Sequence, residues 1–191
     1  MEIIIAGALG AAATLITTLI KLRWDCKVGQ GKLRKHTVQN EDVYRALQYS
    51  LDYLSTDRVV VYEFHNGDIY YSGSSQQKFS NTYELVGDGI SSELKHQQNL
   101  RVSSFNRFVK PLVDNDCYEF DSLEVIDDVV IRNFFADQGT HTTYCVPIKL
   151  LSGKIIGILG VDFVRREKKI PDDHKKFIKN QATIIAGYLK A

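Results

Sequence analysis

The chain has 191 residues, 24 Lys and Arg against 23 Asp and Glu, and a hydrophobic fraction of 44%. That length suits one domain of ordinary size with a short extra segment, and the composition excludes global disorder. The 13 Gly and 3 Pro exclude collagen-like or Pro-rich material, and the net charge of +1 hides strong local asymmetries.

Cys26, Cys117 and Cys145 are odd in number and widely spaced, with no C-x-x-C pair. Neither a zinc site nor a thioredoxin-type motif is indicated, and a disulfide scaffold does not suit this size. Buried or incidental thiols in a reducing compartment are expected. A redox enzyme using Cys117 and Cys145 is the least favoured reading. No metal and no cofactor is expected.

Ile3 to Ile20 carries no charge. As a helix it would span roughly 27 Å, near the thickness of a hydrocarbon core. A cleaved signal peptide would need a basic start, but the chain opens Met1-Glu2. A soluble helix would need a polar face, which this run lacks. Residues 1–24 are therefore read as a single transmembrane anchor, with Trp24 at headgroup level. Residues 25–39 follow as a basic linker containing Gly29 and Gly31. The basic flank Lys21, Arg23, Lys27, Lys32, Arg34 and Lys35 predicts the inner or plasma membrane as location. The N-terminus would lie outside and the C-terminal domain in the cytoplasm, with the flank against anionic headgroups. Ala6 and Gly10, like Gly7 and Ala11, are spaced for close helix approach in lipid, so a homo-oligomer is a candidate assembly.

Asn40 is placed to cap a helix whose Val43, Leu47, Leu51 and Leu54 repeat at helical spacing, flanked by Tyr44 and Tyr53. Arg58 to Phe64 reads as a buried strand ending in the turn signal His65-Asn66-Gly67-Asp68, and Ile69 to Ser72 would return as a hairpin. Phe79 to Val86 looks extended. Ser91 to Leu100 is polar with some helical character. Pro111 argues against a long helix over 102–113. Residues 114–128 hold seven acids and no base. They would be a solvated surface, or would bind a basic partner such as the run 165–179 of a second copy. Asp121 or Ser122 would cap a helix reaching Phe135 and stopping near Gly139. Thr142 to Leu151 is a strand, at an edge or bulged because Pro147 lies in it. Ser152-Gly153 turns it into an apolar strand to Val164. Beyond Pro171, Asp172 or Asp173 caps a helix carrying Phe177, Ile178, Ile184, Ile185, Tyr188 and Leu189. This order predicts an α+β fold, an antiparallel sheet with helices packed on one face, preceded by the transmembrane helix.

The stretch Tyr144-Cys-Val-Pro-Ile-Lys-Leu-Leu-Ser-Gly-Lys-Ile-Ile-Gly-Ile-Leu-Gly-Val161, with the helix ending Ala182-Thr-Ile-Ile-Ala-Gly-Tyr188, resembles the C-terminal half of a GAF domain. The resemblance covers residues 40–191. It implies a pocket between the sheet and the segments over it, or a dimerising signalling module. The cyclic-nucleotide version's N-K-F-D-E constellation is absent. The bilin version's Cys-His pair is absent too, since Cys117 is followed by Tyr118. The methionine-sulfoxide-reducing version has other cysteine spacings. The run His65 to Gly73 with Lys78-Phe79-Ser80 is also similar to a pattern in small phage-encoded proteins, the T-even holin type among them. Such a holin carries its globular domain outside the inner membrane, opposite to the orientation predicted here.

The ligand-binding candidates are His65, Asn66, Gly67, Tyr70, Tyr71, Phe79, Tyr83 and His141. His65 would sit where the pocket opens, as donor or acceptor. Asn66-Gly67 also suits a hairpin, because both residues tolerate positive φ. The aromatics would wall a ligand or fill a core, and His141 would reach the same opening. The expected function is a non-catalytic, membrane-tethered sensor or interaction module binding a small ligand or a protein partner at the cytoplasmic face. The alternative is a phage lysis or host-interference protein acting by oligomerisation. Nucleic acid is not an expected partner.

Overall fold

The computed structural model describes residues 2–70 and 72–190, with the side chains of 2–16, 19, 22, 24–26 and 68 outside the description. The chain divides into two compact units, Met1–Glu41 and Asp42–Ala191.

Helix α1, Glu2–Leu54, contributes to both units. The stretch expected as an irregular linker is therefore helical, and Asn40 is an interior residue rather than a cap. The Lys, Arg, Gln and Leu that dominate 30–38 are good helix formers and outweigh the two glycines. Among the described residues no helix is long and apolar enough to cross a membrane. The expected anchor falls mostly on residues whose side chains lie outside the description.

The second unit is built on one antiparallel six-stranded sheet in the order β3-β2-β1-β6-β5-β4. β1 is Arg58–Ile69, β2 Ser75–Val86, β3 Leu100–Arg101, β4 Tyr118–Phe120, β5 Thr142–Lys149 and β6 Ile155–Phe163. Three helices follow α1: α2 Asn106–Asp114, α3 Val129–Asp137 and α4 Asp172–Lys190. Period-2 alternation sends β1 side chains to two faces. Val59 and Val61 join a cluster with Val43, Leu47 and Leu54 of α1 and Ile178, Ala182 and Ile185 of α4. Val60 and Tyr62 join a second cluster with Phe105, Phe108 and Leu112 around α2 and Ile131 and Phe135 of α3. Helices thus cover both faces, where the sequence predicts one. The middle segment supplies the second layer, and its short apolar pieces show no long helical period.

Other differences are local. β1 does not turn at Asn66-Gly67 but runs on to Ile69, with His65 opposite Lys78 and Asn66 opposite Gln77. The turn lies at 70–74, where the Gly73 amide donates to the Tyr70 carbonyl at 2.8 Å and Gly73 adopts φ +80°. Residues 91–99 form turns, bends and irregular backbone, not helix. Ser122 caps only a short 3-10 turn, Leu123–Val125, and α3 starts afresh with the Asp128 carboxylate accepting from the Val130 and Ile131 amides. Pro147 pairs with Ile158 of β6, beyond the residues where β4 covers β5, so no donor is missed on its open side.

Candidate functional site

The second-cluster face carries a buried polar nest at one end of the sheet. Arg58 lies opposite Asp162, and Asp162 opposite Thr143, so the three share a face. A bulge brings two residues of β2 to the same side. Val61 pairs with Tyr83 but Tyr62 with Asn81, which leaves Thr82 unmatched and places Glu84 and Asn81 together.

Arg58 is 1% exposed, and both of its terminal nitrogens donate hydrogen bonds, while the buried Nε makes an ion pair but no hydrogen bond. Nε lies 3.3 Å from Glu84 Oε1 and Nη1 lies 3.5 Å from Asp162 Oδ2. Nη1 also donates to Gln138 Oε1 and Thr140 Oγ1, both at 3.3 Å. Nη2 donates to the carbonyls of Ser91 at 3.2 Å and Gln138 at 3.3 Å. Glu84 in turn accepts from the Glu93 amide at 2.9 Å, the Leu94 amide at 3.0 Å and the Ser92 hydroxyl. Asp162 accepts from the Thr143 hydroxyl at 2.6 Å. Buried charges persist only when paired and hydrogen-bonded. Here one guanidinium and two carboxyls tie β1, β2 and β6 to the segment 91–94 and to the end of α3. Burial pushes the Asp162 carboxyl above its ordinary value, against the pull of Arg58 and the Thr143 bond.

Beside this nest, Gln97 Oε1 accepts from the Tyr62 hydroxyl at 2.7 Å and from Asn81 Nδ2 at 3.1 Å. The Asn81 amide donates to the Gln97 carbonyl at 2.8 Å. Asn81 Oδ1 and Gln97 Nε2 are buried without a partner. Turning both side-chain amides over exchanges the atoms but still leaves one donor and one acceptor unused. Burial raises the Tyr62 phenol well above its ordinary value, so it stays a neutral donor.

The rest of this face is aromatic. Phe79 is fully buried, with ring centroids 5.6 Å from Tyr62, 5.3 Å from Phe105 and 6.3 Å from Phe108. Cys145 is also buried here, and burial pushes its thiol far up. Cys117 packs against the other face. The two thiols therefore do not face one another, contrary to what a redox pair needs. Among the described residues no group of three or more His, Cys, Asp or Glu could hold a metal.

The residues singled out from the sequence do not converge. His65 shares a face with Lys78 and Ser80 and bonds Ser80 Oγ through Nε2 at 2.9 Å. Phe79 points to the opposite face. Asn66 Oδ1 accepts from Gln77 Nε2 at 3.1 Å across the hairpin. Gly67 lies in the irregular stretch of β1, where a Cβ would fall 2.7 Å from the Gln76 carbonyl oxygen. Tyr70 is exposed in the turn, and Tyr71 lies outside the described residues. Tyr83 meets Tyr44 of α1 edge-on at 5.5 Å. His141 precedes β5 at the Arg58 end of the sheet, whereas His65 is toward the other end of β1. Of these candidates Phe79 is a member of the second cluster, while Asn66, on the same face by register, lies beyond it. Arg58, Glu84, Asp162 and Gln97 escaped sequence reading. For Arg58 and Asp162 the available signal was a charge set within a β-branched, apolar run.

A GAF-domain family model matches residues 41–189, most of the chain. The chain belongs to the GAF family. Its fold is similar to the blue-light absorbing form of the PixJ GAF domain of Thermosynechococcus elongatus, with TM-score 0.65 and 14% identity over 82% of this chain and 88% of that one. It is also similar to GAF3 from Slr1393 of Synechocystis sp. PCC6803 in its photoproduct state, with TM-score 0.62 and 13% identity over 79% and 92%. A GAF domain/HD domain protein of Geobacter sulfurreducens matches with TM-score 0.60 and 12% identity over 80% and 92%. At such identities the likeness shows the GAF fold and leaves the ligand to the residues themselves. No curated protein matches.

Proposed function

We propose that this GAF protein is a non-catalytic, membrane-tethered sensor. It takes a small, uncharged polar molecule between the sheet and the segment 91–99. The observation that carries this reading is the buried, unused pair of Asn81 Oδ1 and Gln97 Nε2. An unused acceptor and an unused donor on two hydrogen-bonded neighbours suit an amide or a heterocycle, and leaving both unpaired in a core costs about 1–3 kcal/mol each. The neutral Tyr62 and the surrounding rings would hold the flat body of such a molecule. Arg58 and Glu84 would report its arrival, since both hold the covering segment.

The tether rests on the uncharged run Ile3 to Ile20 and the basic residues after it. The proposed location is the inner or plasma membrane with the GAF domain in the cytoplasm. Light sensing through an attached bilin is not favoured, because Cys145 is buried and Cys117 lies on the other face.

Native mass spectrometry of the purified full chain, followed by identification of what it releases on denaturation, tests the ligand. The expected result is a small neutral heterocycle or amide that is missing from the Asn81→Leu/Gln97→Leu variant. A folded chain that releases nothing, and whose melting is unmoved by nucleobases and primary amides, would overturn the reading.

A further inference from the structure

The sheet ends in β4, a strand of three residues paired only with β5. An open strand edge is a template for another strand, and proteins usually blunt it with charge or cover it. Beside this edge lies a cleft of about 540 Å³ lined by the apolar Tyr118, Phe120, Ile126 and Ile131, with Arg107 as its one base against Glu119, Asp127 and Asp128. Around it Val125 is 63% exposed, Val129 61% and Val130 51%. That much β-branched surface beside an unpaired edge is what a monomer avoids unless something docks there. We propose that β4 and this cleft receive an extended, basic segment of a partner protein, added as a further strand.

Charge selects the occupant. Residues 114–128 hold seven acids and no base. Three of them are already paired within the chain, Asp114 with Lys110, Asp116 with Lys149 and Glu119 with Lys175, whereas Asp127, which lines the cleft, and the exposed Glu124 form no ion pair among the described residues. A second copy pairing β4 against β4 would set like charges together, because Glu119 and Asp121 lie in and beside the strand. Glu124 and Asp127, which have no ion partner among the described residues, attract a segment that alternates apolar residues with Lys or Arg. Its apolar side chains would enter the cleft and its backbone would bond the free edge of β4. This surface is remote from Asn81 and Gln97 in the sheet order, with β1, β6 and β5 between β2 and β4. The inference therefore stands whether or not the ligand reading holds.

The test uses the full chain and a labelled short peptide alternating lysine and valine, read by fluorescence anisotropy. Two control peptides replace lysine by glutamate, or carry N-methyl groups on alternate backbone nitrogens. The lysine–valine peptide should bind, and both controls should bind at least about tenfold more weakly. Glu124→Lys/Asp127→Lys, at two exposed positions, should weaken binding by roughly tenfold. Hydrogen exchange at the Tyr118–Phe120 amides should slow in the complex. Failure of the lysine–valine peptide to bind overturns the proposal. So does equal binding of the N-methylated peptide, which would mean attraction by charge without strand addition.

Discussion

Arg58 Nε lies 3.3 Å from Glu84 Oε1, and each side chain is 1% exposed. Asp162 stands on the other side of the same guanidinium at 3.5 Å. The two carboxyls are not equivalent. Glu84 also accepts from two backbone amides of the covering segment, so its loss strands both the cation and those donors. Glu84→Gln should cost roughly 3 kcal/mol, the scale of breaking a buried pair. Asp162→Asn keeps Arg58 paired and should cost about 1 kcal/mol or less. Urea midpoints at neutral pH decide, and equal losses would contradict this asymmetry.

The raised Asp162 carboxyl has a pH consequence. A group that holds its proton more tightly when folded stabilises the native state fully below its unfolded value of about 4. That contribution is lost as the pH rises through the folded value. Asp162→Asn should therefore gain on the parent chain as the pH climbs from about 4 toward neutrality. Denaturant unfolding across that interval measures it, and parallel curves would exclude it.

Two glycines of β6 answer to packing. A Cβ at Gly157 would fall 2.3 Å from the Tyr62 carbonyl oxygen, a backbone atom with nowhere to go. At Gly160 it would meet Val60 Cγ1 at 2.9 Å and Cys145 Sγ at 3.3 Å, both side chains. Gly160→Ala should cost about 1–3 kcal/mol and Gly157→Ala more, as far as separating β6 from β1. Thermal melts of the two variants check the order.

Cysteine chemistry should divide between the faces. Cys145 should resist alkylation in the native chain because it is buried and its thiol is pushed far up. The half-buried Cys117 should react first. Incubation with biliverdin should leave no adduct on either residue. Peptide mapping after each treatment reads the outcome.

The proposed anchor makes a separate forecast. Full-length chain should sediment with membranes, and removal of residues 1–24 should release it. A tag after residue 191 should be shielded from outside reagents. A tag labelled from outside would reverse the orientation and favour the lysis reading. Induction should leave the membrane potential intact, whereas a lysis protein would collapse it abruptly.

The parts of the fold legible in the sequence are those fixed by local chemistry. β5, the Ser152-Gly153 turn, β6 and α4 follow from two apolar runs, a turn signal between them and a helix start after Pro171. The second helical layer was not legible, because its pieces are short and are held from afar. Glu84, for example, anchors residues 93 and 94 through their amides. Asn66-Gly67 misled because pairing with β2 overrides an isolated turn signal. The site was hidden for a related reason. The bulge at Thr82 decides that Asn81 and Glu84 share a face, and a bulge leaves little trace in residue pattern.

Gly29 and Gly31 lie within α1, and a Cβ at either would meet nothing within 4 Å. Each weakens a helix by about 1 kcal/mol relative to alanine. The consequence is mechanical. Within the described part of the first unit, residues 29–31 are therefore a place where α1 bends more readily than an alanine-rich stretch would. A second helix packed alongside those residues would restrict that bending.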